Sequence, residues 1–190
     1  MNHKLIQRVA IVFAMLFLFF ATSLEAKKSR LSFILPKDSL SVPLKEKIIS
    51  FIKQIHQTEL ADTNFILIQE SYILDNIYCL QELFSDSSFY TKEDFDFIKE
   101  KIKPTSFVWT SNMFHSVRIM SKNATNEFFK DRRRKGYYSF SLPIFLKNDT
   151  YCLFYSDYHC GYDCGEGHFK LYRNEKGKWT EVKTYCKWIS

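Results

Sequence analysis

This chain has little glycine and little proline, five and four residues in 190. It contains no internal repeat, no low-complexity segment and no linker, which excludes repeat architectures and tethered multidomain ones. It also lacks G-x-S-x-G, H-E-x-x-H and a glycine-rich nucleotide fingerprint, so no local signature assigns a reaction or a cofactor. No nucleic-acid module signature is present. The longest apolar run without a charge, Val9 to Phe20, is 12 residues long. A bilayer span needs about 20.

That short run has a different meaning at the head of a chain. Lys4 and Arg8 precede it, and the small residues Ala21, Thr22, Ser23 and Ala26 follow it. Residues 1–26 therefore read as a signal peptide, with cleavage after Ser23 favoured by Ala21 at the −3 position. An uncleaved anchor is the rival reading. No cysteine lies near the cut, so a lipid anchor is not indicated. The expected location is exported, periplasmic or extracellular, with no membrane span after cleavage. What remains, 27–190, is the length of one domain.

The formal charge is +6; residues 1–26 hold Lys4 and Arg8 against Glu25, so the mature chain carries +5. Much of the positive charge lies in one run, Lys130 to Lys135. A helix end suits such a run, because cations stabilise the negative pole of the helix dipole. An exported protein seldom meets nucleic acid, and none is expected as a partner. The expected partner is a ligand or an envelope protein.

The helical part covers 41–135. Ser41 stands at an N-cap with Pro43 in the first turn, and Leu44, Ile48, Phe51, Ile52 and Ile55 then form one apolar stripe. Residues 65–69 are β-prone, and Tyr72 to Phe84 reads as a helix. Thr91 and Asp94 have the spacing of a capping box and open a helix that Pro104 ends. Phe107 to Thr110 and Val117 to Met120 read as strands, and Asn123 to Lys135 as a helix. Leu31 to Leu35 reads as a short strand in the lead-in.

From Tyr137 the texture becomes aromatic and β-branched, with turn signals at Asn148-Asp149, Gly161 to Gly167 and Asn174 to Gly177. Four strands follow, 137–146, 150–158, 168–173 and 179–189, joined by short turns as an antiparallel meander. The fold class expected is α+β: N-terminal helices packed on one face of a C-terminal antiparallel sheet of about four to six strands. Apolar groups on both faces of Tyr151 to Tyr155 mark a central, doubly covered strand. The aromatic residues, with Trp179 and Trp188 in the last strand, serve the core before they serve a pocket.

One stretch concentrates chemistry. Asp157 to His168 packs two cysteines, two histidines, three acids and three glycines into twelve positions. Glycines there permit a tight loop. His159, Asp163, Glu166 and His168 are the candidate binding residues, and no catalytic residue is assigned. In an oxidising compartment Cys160 and Cys164 are expected to form a bridge. Cys152 and Cys186 can form a second one between strands, leaving Cys79 free; alternatively Cys186 pairs with a loop cysteine. Five cysteines leave at least one unpaired within the chain. Two other readings share the loop. His159, Cys160, Cys164 and His168 make a zinc-like donor set, although their spacing departs from common fingers and metal is not favoured. A cysteine with a histidine, oriented by Asp157 or Asp163, or an Asp163–Glu166 pair, makes a hydrolase site. Asn123 and Asn148 head two glycosylation triplets, relevant only in a eukaryotic secretory route.

Four C-terminal patterns go together: Ser141-Leu142-Pro143-Ile144-Phe145, Cys160-Gly161 with Cys164-Gly165-Glu166-Gly167, Gly177-Lys178-Trp179, and Trp188-Ile189-Ser190. In these residues 137–190 resembles a group of uncharacterised exported bacterial proteins. The resemblance implies strands at Pro-Ile-Phe and before the cysteine loop, a turn at Gly-Lys-Trp, and export; it implies no activity. The Gly177-Lys178-Trp179 hairpin is also similar to the closing strands of cone-shaped α+β domains of the nuclear-transport-factor-2-like kind. The function expected is a non-catalytic binding or accessory domain, with a secreted hydrolase or a metal-binding protein as alternatives.

Overall fold

The structure, a computed structural model, describes residues 40–62, 64–74, 77–103, 107–125, 127, 136–161 and 164–190. The signal segment 1–26, the Leu31–Leu35 strand, the basic run 130–135 and Asp163 lie outside the described residues. The architecture is α+β. Helix α1 (Val42–Ile55) is followed by a single turn, α2 (Gln57–Leu60), and strand β1 (Ile66–Ile68). Then come α3 (Ile77–Ser85), α4 (Lys92–Lys101), β2 (Arg118–Met120) and a 3-10 turn at Lys122–Ala124. The chain closes with β3 (Tyr137–Phe140), β4 (Ile144–Leu146), β5 (Tyr151–Gly161), β6 (Cys164–Glu175) and β7 (Lys178–Ile189).

The helix signals behave as their chemistry requires. Ser41 sits at the N-cap of α1 without a side-chain capping bond, and Pro43 lies in the first turn. At α4, Thr91 Oγ1 accepts from Asp94 N at 3.1 Å, and Asp94 Oδ2 accepts from Thr91 N at 3.0 Å. Aspartate thus closes the capping box in place of glutamate. Tyr72 does not begin a helix: it forms a bridge to Ser141, and α3 starts at Ile77. Val108 makes only an isolated bridge to Glu70, so Phe107 to Thr110 is not a full strand. Of the helix expected at Asn123 to Lys135, the described residues are Asn123 and Ala124, in the 3-10 turn, and Thr125 and Glu127, which are helical.

The sheet corrects the meander. Among the described residues it has seven strands, in the order β2-β1-β3-β5-β6-β7 with β4 also pairing β5. β1 pairs β2 and β3 in parallel, so the sheet is mixed. The long antiparallel hairpins β5–β6–β7 are the legible part. The parallel pairs join segments far apart in sequence, and no local turn announces them. The expected strand 137–146 is two strands, β3 and β4, broken at Leu142-Pro143, and both lie along the same edge of β5. A proline cannot donate to the ladder, which explains the break.

Helices also cover both faces of the sheet, not one. Alternation along β5 divides its side chains. Cys152 and Phe154 join Phe51, Ile52 and Phe140 under α1, while Leu153 and Tyr155 join Leu83, Ile98 and Phe169 under α3 and α4. Phe51 is the centre of the first core, edge-on to Phe145, Phe154, Tyr172 and Trp179. The outer strand β7 is charged and mostly exposed, and its pairing with β6 is interrupted twice, features that discourage edge-to-edge association. Among the described residues no helix is long and apolar enough to cross a membrane.

Candidate functional site

The stretch read as a loop is mostly strand. β5 runs to Gly161 and β6 resumes at Cys164. Register then decides which side chains meet. Ser156 pairs with His168, Asp157 with Gly167, Tyr158 with Glu166 and His159 with Gly165. Because successive side chains in a strand point to opposite faces, the candidates are divided. Glu166 and His168 face α1; His159 and Asp157 face the other way, towards Tyr137 and Trp188.

Both histidines find an acid on their own face. His168 Nε2 lies 3.3 Å from Glu166 Oε2, and His159 Nε2 lies 3.4 Å from Asp157 Oδ2. Glu166 and His168 therefore share one face of the sheet and His159 lies on the other. Cys160 and Cys164 are bridged, with Cα atoms 5.1 Å apart, as the compartment argument expects. That bridge removes both sulfurs from the zinc-like set and from the nucleophile reading. Among the described residues no group of three or more His, Cys, Asp and Glu is placed to hold a metal ion.

The second bridge is a correction. Cys186 pairs with Cys79, and the free thiol is Cys152, not Cys79. β6 lies between β5 and β7. At about 4.8 Å per strand, Cys152 and Cys186 are separated by about 10 Å across the sheet, and their partners on β6, Tyr172 and Phe169, are a further three residues apart, so they lie well beyond the roughly 4.4–6.8 Å that a disulfide spans. They also serve opposite cores.

The glycines are corrected too. Gly165 and Gly167 lie within β6 and have no positive φ. What they provide is absence of bulk: a Cβ on Gly167 would stand 2.0 Å from Trp188 Nε1, and one on Gly165 3.0 Å from the same indole. Trp188 therefore packs on the sheet over the two glycines, and Trp179 meets Phe51 of α1.

The α1 face holds a cleft of about 400 Å³. His56, Glu59, Tyr138, Tyr158, Glu166 and His168 form its polar wall, with Lys170, Glu181 and Trp179 beyond. His56 ends α1, stacks on Phe140 at 4.7 Å, and has Nδ1 3.7 Å from Glu59 Oε1. Neither ring nitrogen of His56 has a hydrogen-bond partner, nor does His168 Nδ1, and all three are buried. The neighbouring His56 holds the Glu59 carboxyl below its ordinary range. Burial pushes the Tyr138 phenol up to about 12, so it stays a neutral donor. Burial alone would raise Glu181, but Lys170 at 2.8 Å and Thr184 outweigh it and hold it low.

Sequence reasoning missed His56, Glu59, Tyr138 and Tyr158. A signal for His56 was present: it continues the Ile48–Ile52 row by four more residues, placing a polar ring in line with an apolar stripe. Comparison with known proteins adds nothing to this geometry, since no family model, no curated protein and no solved structure matches the chain.

Proposed function

We propose that this chain is an exported binding domain that holds a small, neutral, hydroxyl-rich molecule in the cleft on the α1 face. The observation carrying this is the pair of half-buried imidazoles, His56 and His168, which line one cleft beside Glu59 and Glu166 and hold three buried nitrogens without hydrogen-bond partners. Buried polar atoms without partners are costly, and a ligand rich in hydroxyls supplies both donors and acceptors. Lys170 is already paired with Glu181, which leaves Glu59 and Glu166 in excess and disfavours anions. Tyr138, Tyr158 and Trp179 offer the ring surface on which sugar-like molecules rest. Export is supported by the signal-like N-terminus, by two disulfides and by the C-terminal resemblance.

Calorimetric titration with a panel of neutral mono- and disaccharides tests this reading. One member is expected to bind, and His168→Ala is expected to weaken it by tenfold or more, about the worth of a hydrogen bond to a buried partner. Binding unchanged in both His56→Ala and His168→Ala would sink the proposal. A secreted hydrolase is the second reading, favoured by the contact between His168 and Glu166. It requires turnover of a bound saccharide, which the binding reading does not.

A further inference from the structure

The other sheet face carries a second cleft, of about 540 Å³, and Asp157 forms part of its lining. Asp157 is 3% exposed. Its Oδ2 accepts from the Tyr155 hydroxyl at 3.2 Å and lies 3.4 Å from His159 Nε2. Trp188 Nε1 donates to the same Tyr155 oxygen at 2.8 Å. Asp157 Oδ1 has no hydrogen-bond partner. One carboxylate oxygen is thus held by a tryptophan–tyrosine chain while the other is idle, and a buried carboxylate without compensation is among the most costly groups to keep.

Rings enclose this carboxylate. Tyr72 lies 4.3 Å from Tyr155, Tyr137 stacks on His159 at 5.1 Å, and Trp188 lies 5.3 Å from His159. Tyr72, Tyr137 and His159 line the cleft with Asp157, and Glu70 and Ser139 add acceptors. Acceptors and ring faces around a carboxylate repel an anion and suit a cation. A metal ion is the poorer fit, because among the described residues no three donors are gathered for one. Lys122 borders the cleft, but its side chain is exposed, and its bond to Glu70 comes from the backbone. Ile68 and Ile73 supply apolar wall beyond the polar end, which suits a cation on an alkyl body.

We infer that this cleft binds a primary alkylammonium group, with Asp157 Oδ1 accepting one N–H and the rings of Tyr72 and Tyr137 facing the charge. The site lies on the opposite face of the sheet from the saccharide cleft; Asp157 borders both clefts, and the other lining residues differ.

Butylammonium chloride titrated into the isotope-labelled full chain tests this inference. The readout is the Trp188 indole N–H resonance, assigned by its loss in Trp188→Phe, because that N–H ends on the Tyr155 oxygen that holds Asp157. A saturable shift of Trp188, absent at Trp109 and Trp179, is expected. 1-Pentanol, similar in shape but uncharged, is expected to give none, and Asp157→Asn to abolish the response. No saturable shift up to about 100 mM, well beyond millimolar affinity, would overturn the inference. An equal response to 1-pentanol, or an undiminished one in Asp157→Asn, would overturn it too. Should Asp157→Asn fail to fold, Tyr137→Leu decides. It removes one ring and is expected to weaken butylammonium about threefold to tenfold, whereas unchanged affinity rejects the site.

Discussion

Cys79 on α3 and Cys186 on β7 are bonded across 107 positions of sequence, with Cα atoms 4.9 Å apart. The bridge fastens a helix to the edge strand of the sheet, beside the core of Leu83, Phe169 and Tyr185. A loop of this length loses much of its freedom in the unfolded chain, worth about 5 kcal/mol on the chain-entropy account, against about 2 kcal/mol for the short Cys160–Cys164 ring. Cys186→Ser is therefore expected to lower stability in urea by more than Cys160→Ser does. Equal losses would show that the long bridge adds no constraint the packing lacks.

Cys152 should be the one thiol that reports unfolding. It is fully buried, and burial pushes the thiol well above its ordinary range, which suppresses the reactive thiolate. Iodoacetamide is expected to leave the native, non-reduced protein unlabelled among its described cysteines. In denaturant without reductant it should add one label, mapped to Cys152. Labelling at Cys79 or Cys186 instead would contradict the pairing.

Asp86 gives stability a specific acid limb. Its carboxylate accepts from Lys183 Nζ at 2.8 Å, from Ser88 Oγ at 2.7 Å and from the Tyr185 hydroxyl at 2.8 Å. Lys183 and then Ser88 lead in lowering its pKa from 3.8 to about 2. Since the folded value lies below the unfolded one, the stabilisation is fully present above about 3.8 and disappears as pH falls towards 2. The melting temperature of Asp86→Asn should lie below that of the parent at neutral pH, and the gap should close across that window. A gap independent of pH would mean that the charge of Asp86 contributes nothing.

Helix α4 offers a local test of the capping box. Thr91→Ala removes the acceptor for Asp94 N and is expected to cost about 1 kcal/mol in urea unfolding. Asp94→Ala removes the reciprocal bond to Thr91 N and also a contact 3.7 Å from Lys147 Nζ. Its cost should be at least as large; a smaller one would leave Thr91 acting alone.

The α1 stripe, the α4 box, the antiparallel hairpins and the Cys160–Cys164 bridge were all legible because each depends on residues close in sequence. The parallel pairing of β1 with β2 and β3 was not, since nothing local in Ile66–Ile68 specifies a partner near 118 or 138. The two apolar faces of β5 mark it as doubly covered, and helices do pack on both sides of it. The distribution of the candidate site residues follows from one fact: much of 157–168, which composition reads as a loop where neighbours can converge, is strand. In a strand the alternation of side chains sends His159 and His168 to opposite faces, and each then depends on residues from elsewhere, His56 and Glu59 for one cleft, Tyr72 and Tyr137 for the other.

Gly167 is the most exacting position of that strand. It pairs with Asp157 on one side and Trp188 on the other, and a Cβ there would stand 2.0 Å from Trp188 Nε1 and 2.7 Å from the Tyr155 hydroxyl. Both atoms belong to the chain of hydrogen bonds that ends on Asp157. Relief by a flexible side-chain tip is not open, because a rigid indole must move as a whole and release Tyr155. Gly167→Ala is thus expected to cost about 1–3 kcal/mol of stability and to displace the Trp188 indole resonance. Trp188→Phe in the same background should recover part of the loss, since it deletes the clashing N–H. If Gly167→Ala leaves both the stability and the resonance unchanged, Trp188 does not lie over this strand, and the ammonium site built on it falls as well.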